Sequence, residues 1–142
     1  MKPDVPAVLM ELAGLVARNA APDVPPADRA GALGLSAALL SLAAQTWDGA
    51  AQNLVTENRA VRGLLARGAA FAPEAAALAS GSDDDLRISA LSAENARLRT
   101  ALIALQVAVE GRGDADAMAL NDAIWAELIA STGRRMVAGS PA

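Results

Sequence analysis

The sequence predicts an all-helical protein, an up-down bundle of four main helices that forms one domain over 142 residues. About a quarter of the residues are alanine, the best intrinsic helix former. The β-branched and aromatic residues that favour strands are scarce. Apolar residues also recur every three or four positions over long stretches, as they do on one face of a helix.

The charge and the missing residue types exclude several classes of function. The net charge of −4 gives no attraction to nucleic acid. The absence of cysteine excludes disulfides and thiolate chemistry, and the absence of histidine removes the usual general base and metal ligand. We therefore expect neither an enzyme nor a bound cofactor. Without a secretory signal pattern we expect a cytoplasmic protein, and the excess of arginine over lysine indicates a GC-rich bacterial genome.

The first helix is expected from about Pro6 to Asn19. Proline suits the first turn of a helix, and three prolines between positions 22 and 26 cannot continue one. Its apolar stripe consists of Val8, Leu12, Leu15 and Val16, widened by Leu9.

The second helix is expected to begin near Pro26 or Ala27 and to be unusually long. Its apolar residues alternate by four and three over five heptads, which is typical of one helix packed lengthwise on another. Gly49 and Gly63, each costing about 1 kcal/mol relative to alanine, mark either close helix crossings or a break. The seam consists of Leu33, Ala37, Leu40, Ala44, Trp47, Ala51, Leu54, Asn58, Val61, Leu65 and Gly68.

Within this helix, residues 30–47 carry no charge and approach the length of a membrane span. The run is interrupted by Gly31 and Gly34 and by polar side chains, and most of its apolar residues are alanine. We therefore favour a buried bundle helix over a membrane anchor.

Residues 72–85 are expected to connect the second and third helices. Ser82 is a predicted N-cap, and Asp83, Asp84 and Asp85 would then lie in the first turn, at the positive end of the helix dipole. A calcium loop is disfavoured, because the acidic residues are adjacent and lack the glycine and glutamate spacing of an EF-hand.

The third and fourth helices each carry two apolar stripes, which indicates neighbours on two sides. The third is expected from about Asp84 to Glu110, and the fourth from an Asp114 N-cap to about Ser131 or Thr132, with Gly133 as C-cap. Residues 1–5 and 134–142 are expected to fray. The stripes of the third helix are Ile88, Leu91, Asn95, Leu98, Leu102, Leu105 and Val109, and Ala96, Thr100, Ile103 and Val107; those of the fourth are Leu120, Ile124 and Leu128, and Met118, Trp125 and Ile129.

One pattern occurs twice, in residues 57–65 and 94–102. Each copy has Glu-Asn, an apolar residue three after the asparagine, arginine four after it and leucine seven after it. An antiparallel hairpin of the second and third helices would bring Asn58 and Asn95 to the same height on the seam. A buried unpaired amide costs about 1–3 kcal/mol. Three alternatives therefore stay open: a register-fixing pair within the chain, a contact between chains, or exposure to solvent.

Two further motifs have ordinary structural explanations. Residues 112–114 spell the Arg-Gly-Asp adhesion tripeptide, but they fall at a helix–helix turn, where glycine and an N-cap aspartate are expected. Four glutamates suggest a carboxylate metal site, yet di-iron bundles also use histidine, so pairing with arginine is the favoured interpretation. These are Glu57, Glu94, Glu110 and Glu127.

A short helix, a proline-rich break, a long Ala/Leu helix and the segment Glu57-Asn-Arg-Ala-Val-Arg62 follow one another over residues 5–67. This order resembles a group of small all-helical bacterial proteins that are encoded beside acyl-CoA dehydrogenases and phosphotransferase-like proteins. The resemblance implies an accessory role and assigns no functional residues.

The sequence thus favours a non-catalytic interaction or accessory protein that forms a homodimer through the second and third helices, because a seam of this length exceeds what its own chain can cover. The alternatives are a carrier or sensor of a small apolar ligand and a protein anchored in a membrane by residues 30–47. The residues expected at an interface or pocket are Trp47, Leu54, Val61, Phe71, Leu98 and Trp125.

Overall fold

The computed structural model describes residues 5–20 and 24–136, and all regular secondary structure in these residues is helical, as predicted. Wide helical turns, Val16–Ala20 and Arg29–Leu33, follow the first two helices, and a 3-10 turn, Ala77–Ser80, follows the fifth. The helices are α1 (Val5–Leu15), α2 (Pro26–Asp28), α3 (Gly34–Trp47), α4 (Ala50–Arg67), α5 (Pro73–Ala76), α6 (Ile88–Val109) and α7 (Ala115–Arg134).

The chain divides into two compact units, and the predicted second helix is interrupted between them. Of the described residues, 5–20 and 24–50 form unit 1, and Ala51–Met136 form unit 2. A turn at Asp48 and Gly49 interrupts the helix. Glycine is a poor helix former, and Gly49 is one of the two glycines at which a break was considered from the sequence. The expectation of one domain stays a prediction. The proline-rich break at 21–23 and the terminal residues 1–4 and 137–142 lie outside the described residues.

Unit 1 is a helical hairpin of α1 and α3, which contact each other along their lengths. The turns next to their connection also touch, so the two helices run antiparallel. The buried residues between them are small, Ala13 and Ala44. Of the predicted stripe of the first helix, Val8, Leu12 and Leu15 are exposed, whereas Leu9 and Val16 are partly buried. Among the described residues, no helix is both long and apolar enough to cross a membrane.

Unit 2 has a leucine-rich core formed by α4, α6 and α7, to which α5 contributes Ala75. The seam of α6 is buried from Leu91 to Val109, as its spacing predicts, whereas Ile88 is exposed. The core consists of Val61, Leu64, Leu65, Ala75, Leu98, Ala101, Leu102, Leu105, Val109, Ala117, Leu120 and Ile124.

The helices α4 and α6 run parallel, and the predicted antiparallel hairpin is wrong for this pair. Asn58 contacts Asn95 in the middle of the two helices, and Gly68 lies against Leu105 ten residues further along each. Just beyond both C-terminal ends, the guanidinium of Arg112 stacks over the Phe71 ring at 5.0 Å. Both helices therefore end on the same side of unit 2. The connector of residues 68–87 carries the chain back past α4 before α6 begins.

The connector explains why α6 begins later than predicted. Asp83 and Ser82 bind the Arg62 side chain, and Asp85 accepts a hydrogen bond from the backbone N–H of Arg87, which has extended geometry. The acidic triplet therefore does not form the first turn, and Ser82 is not the N-cap. At the other end, Gly111 adopts the left-handed conformation that ends many helices, and Asp114 caps α7 through the Ala117 N–H, as predicted.

The C-terminal end of α7 is longer than predicted. The helix passes through Gly133 and ends at Arg134, whose carbonyl accepts a hydrogen bond from Asn53 at 3.0 Å. Residues 134–136 are therefore held in unit 2 and do not belong to a frayed tail.

The parallel arrangement predicts opposite effects for alanine at two glycines. A Cβ at Gly68 would overlap the side chain of Leu105, which is fully buried, so Gly68→Ala should lower the free energy of unfolding by about 1–3 kcal/mol. Gly63 lies in α4 with open space around it, and Gly63→Ala should instead stabilise by about 0.5–1 kcal/mol. Urea unfolding of both variants measures the difference. Equal stabilisation by both would contradict the contact between Gly68 and Leu105.

Candidate functional site

The two copies of the repeated pattern lie side by side in unit 2. Asn58 and Asn95 pair at an offset of 37 residues, and Gly68 and Leu105 share that offset (105 − 68 = 37). The shared offset places equivalent residues of the two copies at about the same height, and the polar residues of both copies collect at one level. Together with groups from the connector and α7 they form the polar cluster: Glu57, Asn58, Arg62, Asp83, Glu94, Asn95, Arg99, Ser131 and Arg135.

At the centre of the polar cluster two amides are hydrogen-bonded. The Nδ2 of Asn95 donates to Oδ1 of Asn58 at 3.0 Å, and Nδ2 of Asn58 donates to Oδ1 of Asp83 at 2.8 Å. Both asparagines are buried. Of the three alternatives left open by the sequence, the structure has the contact within one chain. Such a pair fixes the register of two helices, because a shift would leave buried amides without partners.

Two ion pairs flank the amides in a reciprocal arrangement. Arg62 on α4 pairs with Glu94 on α6 at 3.3 Å, and Arg99 on α6 pairs with Glu57 on α4 at 2.8 Å. In each copy the arginine follows the glutamate by five residues and pairs with the glutamate of the other copy. Parallel coiled coils use this exchange between their flanking positions to set partner and orientation.

The connector closes one side of the polar cluster around Arg62. The guanidinium donates to both carboxylate oxygens of Asp83, at 2.6 and 3.1 Å, and to the Ser82 carbonyl at 3.1 Å. A Cβ at Gly81 would lie 3.2 Å from Nε of Arg62 and 3.3 Å from Oε1 of Glu94. Glycine therefore lets the connector pass close to this ion pair.

The helix α7 closes the opposite side around Glu57. One oxygen of this carboxylate accepts from Arg99 at 2.8 Å, and the other accepts from Ser131 at 2.8 Å and from Arg135 at 2.5 Å. Glu57 and Ser131 are buried, whereas both arginines reach solvent. This side of the polar cluster thus connects α4, α6 and α7.

The electrostatics hold both buried carboxylates in the charged form. Burial acts to raise the pKa of Glu57, but the hydrogen bonds from Ser131 and Arg135 outweigh it, and the pKa lies below its ordinary value. Burial likewise acts to raise the pKa of Asp83, and hydrogen bonds from Arg62 and Asn58 bring it below its ordinary value. The hydrogen bond to Asp83 in turn raises the pKa of Arg62.

This arrangement is suited to structural specificity. A carboxylate with a lowered pKa is a weak proton acceptor near neutral pH, so Glu57 and Asp83 are poorly matched to general-base chemistry. Each also has a guanidinium partner that occupies its oxygens. The hydrogen bonds and ion pairs of the polar cluster hold α4, α6, α7 and the connector in one arrangement.

The glutamates considered for a metal site are not brought together. Glu57 and Glu94 pair with arginines of the opposite helix, Glu127 pairs with Arg134, and Glu110 is an exposed residue at the end of α6. In the part of the chain that the structure describes, no group of three acidic side chains is placed to hold a metal ion.

The Arg-Gly-Asp residues have structural roles at the turn between α6 and α7. Arg112 stacks on Phe71 and pairs with Asp114 at 2.9 Å, and Asp114 caps α7. The tripeptide therefore stabilises the turn between α6 and α7, which agrees with its position between two predicted helices.

The residues expected at an interface or pocket are distributed over several environments. Val61 and Leu98 belong to the core, and Leu54 is half-buried. Phe71 packs against the core and lines a groove of about 340 Å³ with Arg67, Asp116 and Leu120. Trp47 and Trp125 are each half exposed and lie outside this groove.

Sequence reasoning missed three members of the polar cluster. Nothing in the acidic triplet distinguishes Asp83, which is buried, from its two exposed neighbours. Arg135 falls in a stretch expected to fray. Of the three, only Ser131 could have been placed from its spacing. It follows the buried Ile124 by seven residues and therefore lies on the same face of the helix.

In each unit of the described residues, exposed apolar side chains recur at helical spacing on two helices. We call the exposed residues of α1 and α3 the hairpin face and those of α6 and α7 the α6–α7 face. Their residues lie opposite or beside the stripes that each helix buries, so each helix is apolar on two sides. The hairpin face consists of Val8, Leu12, Leu15, Leu35, Leu39 and Leu42, and the α6–α7 face consists of Ile103, Val107, Met118, Trp125 and Ile129.

Comparison of the chain with protein-family models, with curated proteins and with solved structures finds no match. The function is therefore argued from the two faces and the polar cluster.

The amide pair predicts energetic coupling between Asn58 and Asn95. Each single change to leucine should lower the free energy of unfolding by about 1–3 kcal/mol, because it leaves a buried polar atom, Oδ1 of Asn58 or Nδ2 of Asn95, without its hydrogen-bond partner. The double variant should cost about 1 kcal/mol less than the two single effects together. Urea unfolding completes the cycle. The control combines Asn95→Leu with Asn53→Leu, whose bond to Arg134 is separate and whose effect should add. Additive effects for Asn58 and Asn95 would show that they are uncoupled.

Proposed function

We propose that this protein is a non-catalytic helical interaction protein that self-associates through the apolar faces of α3 and α6, the regions predicted as the second and third helices. The observation that carries the proposal is exposure at helical spacing. Leu35, Leu39 and Leu42 on α3, and Ile103 and Val107 on α6, are exposed although they follow one another at intervals of three or four residues. Exposed apolar surface of this kind marks binding sites.

The core of unit 2 supports this role because it holds α6 in a fixed position. Because α4 and α6 bury their seams in the core of unit 2, association falls to the second, exposed face of α6. The polar cluster fixes the register of this pair, which keeps the outward face of α6 in a constant position. An accessory protein that presents a surface to a partner needs this constancy more than it needs reactive groups.

Light scattering of the full chain over a wide concentration series tests the proposal. Self-association predicts a mass that rises from one chain of 14.3 kDa to twice that value. A mass of one chain at every concentration, without retention of any partner protein, would reject it.

A second candidate, the carrier of a small apolar ligand, is favoured by the groove beside Phe71. Acyl or aromatic compounds that bind there should raise the thermal midpoint of the protein. Ala119→Leu, which places a larger side chain at the groove wall, should remove that rise. No rise with any compound of a broad panel would reject this function.

A further inference from the structure

We infer that α1 of one chain docks in a groove between α4 and α7 of a second copy of this chain, with Glu11 of α1 beside Arg67 of the groove. This inference rests on the proposed self-association and gives it a specific contact, which occurs twice in a dimer with two-fold symmetry. The part of α1 that enters the groove, called the α1 ridge, consists of Val8, Leu12 and Leu15.

A continuous groove, called the α4–α7 groove, follows α7 in unit 2. The groove beside Phe71 lies between the end of α4 and the first turns of α7, and a second hollow of about 380 Å³ lies between the middle of α4 and the rest of α7. Because Arg67 lines both, they are two parts of one groove. From Asp116 to Ala130 the groove covers fourteen residues of α7 (130 − 116), or about 21 Å.

The shape of the α4–α7 groove suits a helix. The second hollow is walled mostly by alanine, at Ala60, Ala123, Ala126 and Ala130, which leaves room for larger side chains of a partner. Helices pack by placing the ridge of one in the groove of another, and an amphipathic helix in an apolar groove is a common mode of recognition. With 11 and 5 residues, α1 and the wide turn that follows it are long enough to fill this groove.

The α1 ridge is a single strip on the side of α1 that faces away from its buried residue. Val8, Leu12 and Leu15 lie within about 60° of one another around the helix axis, at about 100° per residue. They lie about 100–160° from Ala13, the residue that α1 buries. All three are between 40 % and 47 % exposed. The hairpin therefore leaves one apolar ridge of α1 available to a groove.

The α4–α7 groove contains two charges that have no ion-pair partner among the described residues. Its charged side chains are Arg67, Asp116 and Glu127, and Glu127 is paired with Arg134. Arg67 and Asp116 are exposed, and the ion pairs of the described residues include neither. An occupant of the groove must therefore bring an acid for Arg67 and a base for Asp116, because a covered charge without a partner is costly.

Of the two helices of the hairpin, α1 provides these charges and α3 does not. α1 and its wide turn carry one acid, Glu11, and one base, Arg18. Their mutual ion pair, at 3.6 Å, is about two-thirds exposed and contributes little, so exchanging it for new partners costs little. Because α3 has no charged residue, it would cover Arg67 without a partner. Charge complementarity thus selects α1 as the occupant.

The spacing of the charges in the groove matches the spacing on α1. Because Arg67 lines both parts of the groove, it lies between the levels of Leu120 and Ala123 on α7. Asp116 is four to seven residues from that level, which is about 6–10 Å along the helix. The acid and the base of α1 are seven residues apart and span about 10 Å. α1 therefore runs antiparallel to α7 when both ion pairs form, and the α1 ridge faces the alanine walls.

Sedimentation velocity of full-chain variants tests the α1 ridge. Leu12→Glu places a charge on the ridge, and Met10→Glu places the same charge on the opposite side of α1, at a residue of similar exposure (50 % against 44 %). We expect Leu12→Glu to weaken dimerisation about a hundredfold and Met10→Glu to leave it unchanged. A dimer that responds equally to both variants, or to neither, would overturn this inference and leave the proposed self-association in place. A wild-type monomer at all concentrations would overturn both.

A charge exchange between chains keeps the inference testable if Leu12→Glu unfolds unit 1. Arg67→Glu and Glu11→Arg should each weaken dimerisation about tenfold on their own, because each places like charges beside each other. An equimolar mixture of the two variants should dimerise like the wild type, since the facing charges are again opposite in both contacts of the mixed dimer. Mixing cannot repair a variant that fails to fold. A mixture as weak as either variant alone, or a dimer unaffected by Arg67→Glu, would therefore overturn the contact between α1 and the α4–α7 groove.

Discussion

Arg62→Ala is expected to lower the free energy of unfolding of unit 2 by about 3–5 kcal/mol. The side chains of Arg62 and Asp83 are only 7 % and 4 % exposed, so their charges have little access to water. Removing one member of a buried ion pair leaves the other as an uncompensated buried charge, which costs far more than the pair contributes when intact. Asp83 would keep only its bond from Asn58, and the connector would lose its attachment to α4.

Chemical unfolding in a Trp47→Phe background measures this effect, because the fluorescence of Trp125 in α7 then reports unit 2 alone. Arg97→Ala is the matched control. Arg97 pairs with Glu94 at 2.7 Å, but its side chain is 64 % exposed, and removing an exposed pair should cost less than 1 kcal/mol. If the two alanine variants were equally destabilised, the burial of the Arg62–Asp83 pair would be refuted.

The double variant Arg62→Met with Asp83→Leu separates the charge from the packing. Because it removes both charges and keeps apolar volume, it should recover most of the lost stability. A double variant as unstable as Arg62→Ala would mean that the hydrogen bonds from Arg62 to the connector, rather than the unpaired aspartate, account for the loss.

The sequence predicts the helices and the buried face of α6 because both depend on local chemistry. The three-four spacing from Leu91 to Val109 is a property of one helix, and any helical neighbour buries that face. The caps at Gly111 and Asp114 are local for the same reason.

The direction of α6 depends on the path of a connector of some twenty residues, which local chemistry does not define. Asn58 and Asn95 lie at the same height both in an antiparallel hairpin and in a parallel pair. The two amides alone therefore do not show in which direction α6 runs relative to α4. The flanking charges do carry a signal. In both copies glutamate precedes the asparagine and arginine follows it by four. A parallel pair lets Arg62 meet Glu94 and Arg99 meet Glu57. An antiparallel pair would instead bring the glutamate-bearing flank of one helix beside the glutamate-bearing flank of the other, so that like charges meet.

The rest of the polar cluster could not be predicted from spacing. Asp83, Ser131 and Arg135 converge on α4 from three separate parts of the chain. Their meeting depends on how the connector and α7 pack, and this is known only after the core is assembled. The exposed position of Leu12 and Leu39 has a similar origin, because each helix of the hairpin offers two apolar sides and the sequence does not say which one packs inside the chain.

Glu57→Gln is expected to lower the free energy of unfolding at neutral pH by about 2–3 kcal/mol. The change preserves the shape of the side chain but replaces one acceptor oxygen with an NH₂ group that must face a donor, either Arg99 or the pair of Ser131 and Arg135. The loss is smaller than for Arg62→Ala, since Arg99 and Arg135 are partly exposed and can bind water. Glu110→Gln, at an exposed residue, should change stability by less than about 0.5 kcal/mol.

The same carboxylate predicts how this difference depends on pH. The pKa of Glu57 is lowered in the folded protein from the ordinary value of 4.5, so the unfolded chain binds its proton first as the pH falls. Its stabilising contribution is therefore complete above pH 4.5 and is lost as the pH falls through the folded pKa. Wild type and Glu57→Gln should thus converge in unfolding free energy below that range, while Asp83 makes both less stable in acid. Urea unfolding at a series of pH values follows the convergence. A difference that stays constant down to the acid limit would mean that the charge of Glu57 contributes nothing and that the lost acceptor geometry accounts for the whole effect.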